Sequence, residues 1–253
     1  MLTVQNVYDF INARAPFDTQ EAFDNSGLIL GDPAMAVRHI LVALDCTEAV
    51  AREAEALGAE LIVTHHPLLF SPRKILREDD PEARLLCRLI RSRQALIAAH
   101  TCLDQAPGGT NDALAAAIGL KDVAGEGYIR VGRLSAPMTA AALAEALSCR
   151  LHTVVRPMGP SDRLIQRVGL CTGAGSEFWP QAAAMGAEAF VSGEIRHHHA
   201  LAACTAGLVC FECGHHATEE PGIFALADAL QNWPDAVQWK VRVTKSRAGA
   251  YLP

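Results

Sequence analysis

The chain alternates short apolar runs with stretches in which apolar residues recur every three to four positions. In the segment 39–66, two apolar runs flank a stretch of helical periodicity, which predicts a strand, a helix and a second strand. Asp45 and Glu48 have the spacing of a capping box, so we expect the helix to begin after Asp45. Gly58 suits the end of this helix, where a left-handed backbone conformation favours glycine.

The same plan recurs in the segment 167–194, and both predicted helices end in the tripeptide Gly-Ala-Glu. Each unit is followed by a further helical stretch and a third apolar strand, at 95–99 and 208–211. Near-continuous apolar strands joined by helices are typical of parallel sheets covered on both faces, with right-handed crossovers. We therefore predict an α/β protein of two related lobes with mainly parallel sheets, 1–125 and 126–253, or one intimate domain built from both.

Composition narrows the class of protein. The chain has 253 residues, half of them hydrophobic, which is enough to bury a substantial core. Its formal charge of -6 comes without any run of Lys and Arg, so tight binding to nucleic acid is not expected. The start of the chain lacks the pattern of a signal peptide, no apolar run approaches ~18 residues, and the eight cysteines are scattered through periodic apolar segments. We expect a cytoplasmic protein with reduced thiols and no membrane association.

Imidazole and carboxylate side chains follow the carboxyl ends of three predicted strands. They are His65, His66, His100, Asp104, His215 and Glu219. Ligands on α/β sheets gather beyond the carboxyl ends of the strands, so we expect these side chains to converge between the lobes. A mixed set of nitrogen and oxygen donors suits zinc, iron, manganese or cobalt better than calcium or magnesium. The sequence therefore predicts a transition-metal site.

The spacing of these residues favours two ions over one. Adjacent residues on a strand point to opposite faces, so His65 and His66 would ordinarily not share a single ion. If a helix begins at Ala217, His215 and Glu219 lie one turn apart and can face a common site, where the carboxylate could bridge two metals. His216 is left out, because its side chain should diverge from that of His215.

The remaining histidine of this group, His100, lies four residues before Asp104. It can serve as a ligand, as a proton shuttle or as an orienting partner of a ligand. Taken singly, any of these histidines is more often a buried residue that satisfies a backbone partner than a ligand. Their shared position at strand ends is what favours a metal site.

Six short motifs occur in a fixed order: 23–28, 64–67, His100 with Asp104, 171–176, 192–194 and 214–219. As a set they resemble the Nif-three-like dinuclear metal-centre family, whose members are often named GTP cyclohydrolase I type 2 homologues. The resemblance covers essentially the whole chain, in the short form without an inserted domain. It implies two divalent ions, with zinc, iron or manganese favoured, and five ligands: His65, His66, Asp104, His215 and Glu219.

The resemblance also implies an activity and an assembly. We expect a metal-dependent hydrolase that acts on a nucleotide or a related small molecule, similar to a GTP cyclohydrolase, and a homohexamer with the metal sites facing an internal cavity. Two alternatives stay open. Paired ions also suit a phosphoesterase, since they stabilise in-line attack on phosphorus. The protein can equally be a non-catalytic metal-binding or regulatory protein. No catalytic residue is assigned beyond His100 as a candidate.

A short glycine turn follows the first strand of the second lobe. Gly173, Gly175 and Ser176 are weak candidates for binding a phosphate or another anion through backbone amides at the start of a helix. The alternative is a tight strand-to-helix turn, because the chain has neither a P-loop nor a dinucleotide fingerprint.

Two further clusters of potential ligands are weaker. Cys210 and Cys213 have the spacing of half a zinc knuckle, but no second cysteine pair stands at a matching distance, so a structural zinc is not expected. The three histidines 197–199 can form a polar cavity wall or a metal-binding patch, or simply a solvated or interface-facing helical turn.

Overall fold

The structure of the protein is a computed structural model that describes residues 1–248. Contacts group the chain into two compact units, Met1–Ala106 with the C-terminal stretch from Ile223, and Pro107–Gly222. These units match the expected lobes 1–125 and 126–253 only in part. The chain returns to the first unit after Gly222, because its last described strand joins the first sheet.

Helices and strands alternate along the described chain. In order they are α1 (Val4–Asn12), β1 (Gly27–Leu30), β2 (His39–Ala43), α2 (Glu48–Leu57), β3 (Leu61–Thr64), α3 (Pro81–Arg91), β4 (Ala95–Ala98), α4 (Thr101–Gln105), α5 (Thr110–Ala117), β5 (Lys121–Ala124), β6 (Arg130–Thr139), α6 (Ala140–Leu151), β7 (Arg156–Met158), β8 (Leu164–Cys171), α7 (Trp179–Ala184), β9 (Ala189–Ser192), α8 (His197–Thr205), β10 (Val209–Glu212), α9 (His215–Gln231), α10 (Pro234–Gln238) and β11 (Arg242–Lys245). Two 3-10 turns, Phe17–Thr19 and Ser176–Phe178, accompany them.

The sheet of the first unit has the strand order β1-β4-β3-β2-β11. All of its pairings are parallel except that of β1 with β4. Every residue of β2, β3 and β4 is buried, because alternate side chains enter two separate cores. Leu41 and Ile62 pack with α2 and α3, whereas Ile40 and Val63 pack with α1 and the second half of α9.

The sheet of the second unit has the order β5-β6-β8-β9-β10-β7. Its centre, β8-β9-β10, is parallel as expected. The flanking strands β5, β6 and β7 pair antiparallel, so this sheet is mixed rather than mainly parallel. All three come from the stretch between the two repeats, where β6 buries its first half and exposes most of its second half.

The internal repeat predicted from the sequence is confirmed in the topology. The order β4-β3-β2 in the first sheet matches β10-β9-β8 in the second, and in each case helices connect the consecutive parallel strands. An antiparallel strand borders the third strand of each repeat, β1 beside β4 and β7 beside β10. Both units are thus variants of one α/β plan.

The start of α2 differs from the expectation. Thr47, not Asp45, caps the helix, and its hydroxyl oxygen accepts a hydrogen bond from the Val50 amide at 3.2 Å. The capping box predicted from Asp45 and Glu48 is therefore wrong, because the helix begins two residues later than that box requires. Gly58 ends the helix as expected, with a left-handed φ of 65°.

The cysteines agree with the expectation of reduced thiols. All eight are free, and five of them are buried. Among the described residues, no helix combines the length and the apolar character needed to cross a membrane.

Candidate metal centre

His65 and His66 lie directly beyond the carboxyl end of β3. The amides of both residues donate to the carbonyl of Leu44, which holds the chain close to the end of the neighbouring β2. The His65 ring is fully buried, and its Nδ1 lies 2.7 Å from the carbonyl oxygen of Ala99. The Nδ1 atom of His66 lies 2.7 Å from a carboxylate oxygen of Asp45. Neighbouring strand ends therefore orient both imidazoles.

His100 and Asp104 follow β4 on and around the short helix α4. The Nδ1 atom of His100 lies 2.8 Å from Asp24, a residue of the loop before β1. The Asp104 amide donates to the His100 carbonyl, so a single helical turn links the two residues. The Asp104 carboxylate lies 3.4 Å from the Nε2 atom of His65. The first unit therefore gathers three imidazoles and three carboxylates.

The three imidazoles stand close enough to share metal ions. The ring centroids of His65, His66 and His100 are 5.0–5.4 Å apart. Each ring offers a nitrogen atom, and the three atoms lie within 4.8 Å of one another. His100 thus belongs to the cluster geometrically, and the choice between a ligand and an orienting or proton-transferring group stays open for it.

Asp24 is the best-anchored carboxylate of the first unit. It accepts hydrogen bonds from the hydroxyl of Ser26, from the amide of Thr101 and from the Thr101 hydroxyl, in addition to its bond with His100. Burial alone would raise the pKa of the Asp24 carboxyl, but the hydrogen bonds from His100 and Thr101 outweigh it and hold that pKa well below its usual range. Asp24 is therefore ionised at neutral pH.

These contacts determine the tautomers of the histidines. A carbonyl oxygen or an ionised carboxylate can only accept a hydrogen bond, so each Nδ1 must donate. In the neutral imidazole the lone pair then sits on Nε2. Metal-binding histidines typically donate their second ring N–H to a carbonyl or carboxylate in this way. The donor chemistry of the cluster therefore fits a divalent transition metal.

The second unit gathers an imidazole and two carboxylates. Helix α9 begins at His215, so His215 and Glu219 lie one turn apart, and the His215 Nε2 atom is 3.1 Å from a Glu219 carboxylate oxygen. The expected facing of these two side chains is confirmed. The Nδ1 atom of His215 lies 2.8 Å from Glu194, which repeats the arrangement of His66 with Asp45. The Glu219 side chain is buried.

Gly173 lies against these two donors. It has a left-handed φ of 59°, and a Cβ atom at this position would lie 2.1 Å from the Glu219 Oε1 atom and 3.2 Å from the His215 Nε2 atom. Its amide donates to the hydroxyl of Thr218, which leaves no N–H at Gly173 for an anion. The geometry accounts for glycine here by close packing rather than by the anion cradle expected from the sequence.

Gly175 and Ser176, the other candidates for anion binding in this turn, also make contacts within the protein. A Cβ atom on Gly175 would lie 2.1 Å from the sulfur of Cys171, so close packing again requires glycine. The hydroxyl of Ser176 is hydrogen-bonded to the Nδ1 atom of His199 at 2.9 Å. His199 therefore supports the turn after β8, whereas His197 and His198 are exposed at the start of α8.

Cys210 and Cys213 lie in buried surroundings. Burial raises the pKa of the Cys210 thiol to about 12, with a smaller contribution from Cys204. Burial also raises the pKa of the Cys213 thiol to about 12, with a contribution from Glu212. Both thiols are therefore protonated at neutral pH.

The orienting carboxylates Asp24, Asp45 and Glu194 were not identified as site residues from the sequence. Asp45 stands two residues beyond the end of β2, and Glu194 two residues beyond the end of β9. The rule that selected the histidines, a polar residue at the carboxyl end of a parallel strand, would also have selected these two. Asp24 has no such signal, because the loop before β1 reaches His100 only through tertiary folding.

The chain is similar to known proteins over nearly its whole length. Residues 2–249 match the family model Duf34/NIF3 (NGG1p interacting factor 3). A Clostridium perfringens protein named GTP cyclohydrolase 1 type 2 homolog is 31% identical over 245 residues, which cover 93% of this chain and 94% of the relative. A Streptomyces coelicolor protein of the same name is 30% identical, over 98% of this chain and 92% of the relative.

Solved structures share the fold over nearly the full length. Staphylococcus aureus protein SA1388 superposes with a TM-score of 0.94 and 26% identity, over 99% of this chain and 98% of the other. Reduced HcgD from Methanocaldococcus jannaschii superposes with a TM-score of 0.81 and 25% identity, over 98% of both chains.

Proposed function

Because the chain belongs to the Duf34/NIF3 family, we propose that it is a metal-dependent hydrolase acting on a nucleotide or a related small molecule. The main observation that supports this proposal is the arrangement of the imidazoles. Three of the proposed ligands, His65, His66 and His215, contact a carbonyl or carboxylate oxygen through Nδ1, and so does the neighbouring His100. Such orienting contacts are a regular feature of metal-binding histidines, and here four histidines that share them lie at strand ends and at the start of α9.

We assign a pair of divalent ions to the five ligands that the family resemblance implies: His65, His66, Asp104, His215 and Glu219. Their nitrogen and oxygen donors suit zinc, iron or manganese. The two carboxylates, Asp104 and Glu219, would offset part of the charge of two cations. When bound, the ions would supply an activated water and would polarise the electrophilic centre of the substrate.

We assign proton transfer to His100. The ionised Asp24 carboxylate keeps the Nδ1 atom of His100 protonated, so its Nε2 atom is the one that accepts a proton and returns it. The same contact fixes the ring in one orientation beside His65 and His66. His100 thus completes the site without being one of the five proposed ligands.

We propose a guanine nucleotide as the first substrate to test, since the relatives from Clostridium perfringens and Streptomyces coelicolor are named GTP cyclohydrolase 1 type 2 homologs. That reaction consists of hydrolytic attack on the imidazole ring of the purine with loss of formate. We also propose a cytoplasmic homohexamer on the basis of the family resemblance, which light scattering tests directly.

The experiment incubates metal-loaded protein with GTP and follows formate and phosphate release separately. We expect His100→Gln to retain the metals but to lose turnover by about 10²–10⁴-fold, the usual contribution of a general acid or base. Asp104→Asn should lose both metal and turnover. Phosphate without formate would identify a phosphoesterase instead. Full metal occupancy without turnover of any nucleotide in a broad panel would refute the hydrolase and leave a metal-binding protein.

A further inference from the structure

Two phenylalanine rings are exposed next to the imidazole cluster of the first unit. Phe23 is 62% exposed and Phe70 is 49% exposed. Their ring centroids are 6.2 Å apart and their planes are inclined by 37°, so the two rings form an open wedge. Exposed apolar groups gathered in one patch commonly mark a binding surface, because leaving them in water costs free energy.

The wedge is continuous with the candidate metal centre. The Phe70 ring lies 6.0 Å from the His100 ring, at an interplanar angle of 75°. The His100 ring in turn lies 5.1 Å from that of His65. A planar ligand that rests against Phe70 would therefore lie next to the imidazoles that we assign to metal binding and proton transfer.

Polar contacts beside each phenylalanine hold the wedge in place. Asp24, the neighbour of Phe23, is fixed by His100 and by the amide of Thr101. The side-chain amide of Asn25 donates to the carbonyl of Leu69 at 2.6 Å, which ties the loop of Phe70 to the loop of Phe23. The two rings are thus positioned by their backbones while both residues remain exposed.

We propose that Phe23 and Phe70 form a stacking platform for the planar heteroaromatic ring of the ligand that binds at this centre. This inference rests on the proposed function for the identity of the reacting group, but the stacking itself can be measured without turnover. Aromatic faces bind flat π-systems through stacking, and the Nε2 atom that we assign to proton transfer on His100 lies beside the platform, where it can contact a ring heteroatom. A purely aliphatic ligand would use neither of these features.

The platform predicts a specific loss of affinity. Stacking of a base on an aromatic side chain contributes about 1–3 kcal/mol, which corresponds to about 5- to 150-fold in the dissociation constant. Phe70→Ala should therefore weaken the binding of GMP by about 5- to 150-fold and leave the binding of ribose 5-phosphate unchanged, because that probe lacks the base. Phe70→Leu should lose most of the same affinity, and Phe70→Trp should retain it.

The test is calorimetric titration of the metal-loaded protein with GMP, AMP, CMP and ribose 5-phosphate. Trp239→Ala serves as the matched control, since Trp239 is 52% exposed on the same unit and away from this cluster in sequence. It should bind every probe like the wild type. Phe23→Ala should weaken the binding of GMP, as Phe70→Ala does, and leave the binding of ribose 5-phosphate unchanged.

Three results would overturn the platform: no binding of any nucleotide by the wild type, equal loss of GMP and ribose 5-phosphate, or full affinity in Phe70→Leu. Metal content measured on the same samples separates this failure from that of the proposed function. Normal metal and turnover with unchanged GMP affinity in the Phe70 variants refutes the platform alone. Ring-dependent GMP binding by a protein that takes up no metal on loading supports the platform and refutes the metal-dependent hydrolase.

Discussion

Replacing Gly173 with alanine perturbs His215 and Glu219 without removing a donor atom. The backbone there has a φ of 59°, and the new Cβ atom would lie 2.1 Å from the Oε1 atom of Glu219. Such an approach forces the carboxylate to move, and the 3.2 Å approach to His215 leaves little room beside it. The left-handed conformation itself costs an L-residue about 1–2 kcal/mol.

Gly58→Ala provides a matched control. Gly58 has a φ of 65°, but no atom lies within 4 Å of the position of its missing Cβ. We expect this variant to lose about 1–2 kcal/mol of unfolding free energy and to keep its metals. In the presence of a chelator, Gly173→Ala should lose a similar amount of unfolding free energy. One bound ion stabilises a protein by about 2.7 kcal/mol when the free metal concentration is 100 times the dissociation constant. At that concentration of metal, Gly173→Ala should therefore lose up to about 2.7 kcal/mol more than Gly58→Ala.

The assay is denaturant unfolding of both variants with and without chelator, combined with elemental analysis of each protein. The reasoning predicts a metal-dependent gap between Gly173→Ala and Gly58→Ala that closes when the metal is removed. Wild-type metal content and affinity in Gly173→Ala would show that the Glu219 carboxylate need not occupy its observed position, and the geometric argument would then be wrong.

Three other substitutions test separate parts of the site. Glu219→Gln removes an anionic donor and should lower the occupancy of at least one ion in elemental analysis. Glu220 lies about 100° further round the helix, so Glu220→Gln should leave the occupancy unchanged. Loss of metal in Glu220→Gln but not in Glu219→Gln would refute the assignment of Glu219 as the ligand. Asp45→Ala removes the partner of His66 and should weaken metal binding by about 10- to 100-fold in competition titrations, and unchanged affinity would count against an orienting role. Asp24→Asn should reduce the free energy of unfolding at neutral pH. The folded-state pKa of Asp24 is depressed below the ordinary value of about 3.9. The stabilisation by the ionised carboxylate is therefore present above that pH and is lost as the pH falls further. The difference in unfolding free energy between the wild type and the variant should thus shrink towards about pH 2. A difference that grows on acidification would contradict this assignment.

The central strands could be predicted because burial on both faces makes them almost wholly apolar. The strand-end rule then selected the histidines and carboxylates that gather in each unit. It worked because a parallel strand delivers the residue after it to a known edge of the sheet.

Other features depend on contacts that no local pattern encodes. Strand β11 pairs with β2 across about two hundred positions of sequence, and its half-exposed residues do not resemble a central strand. Asp45 fits a capping box by spacing alone, but Thr47 caps the helix and Asp45 is left to orient His66. His100 and Asp24, which are 76 residues apart, meet only in the folded chain.

The metal content of the wild-type protein tests the central claim most directly. Protein purified without chelators and without an affinity-column metal can be measured by elemental analysis, with the protein concentration taken from amino-acid analysis. The account predicts two divalent ions per chain, drawn from zinc, iron and manganese, in the wild type and in Glu220→Gln. A wild-type protein that binds one ion or fewer per chain, even after incubation with each of these metals, would contradict it.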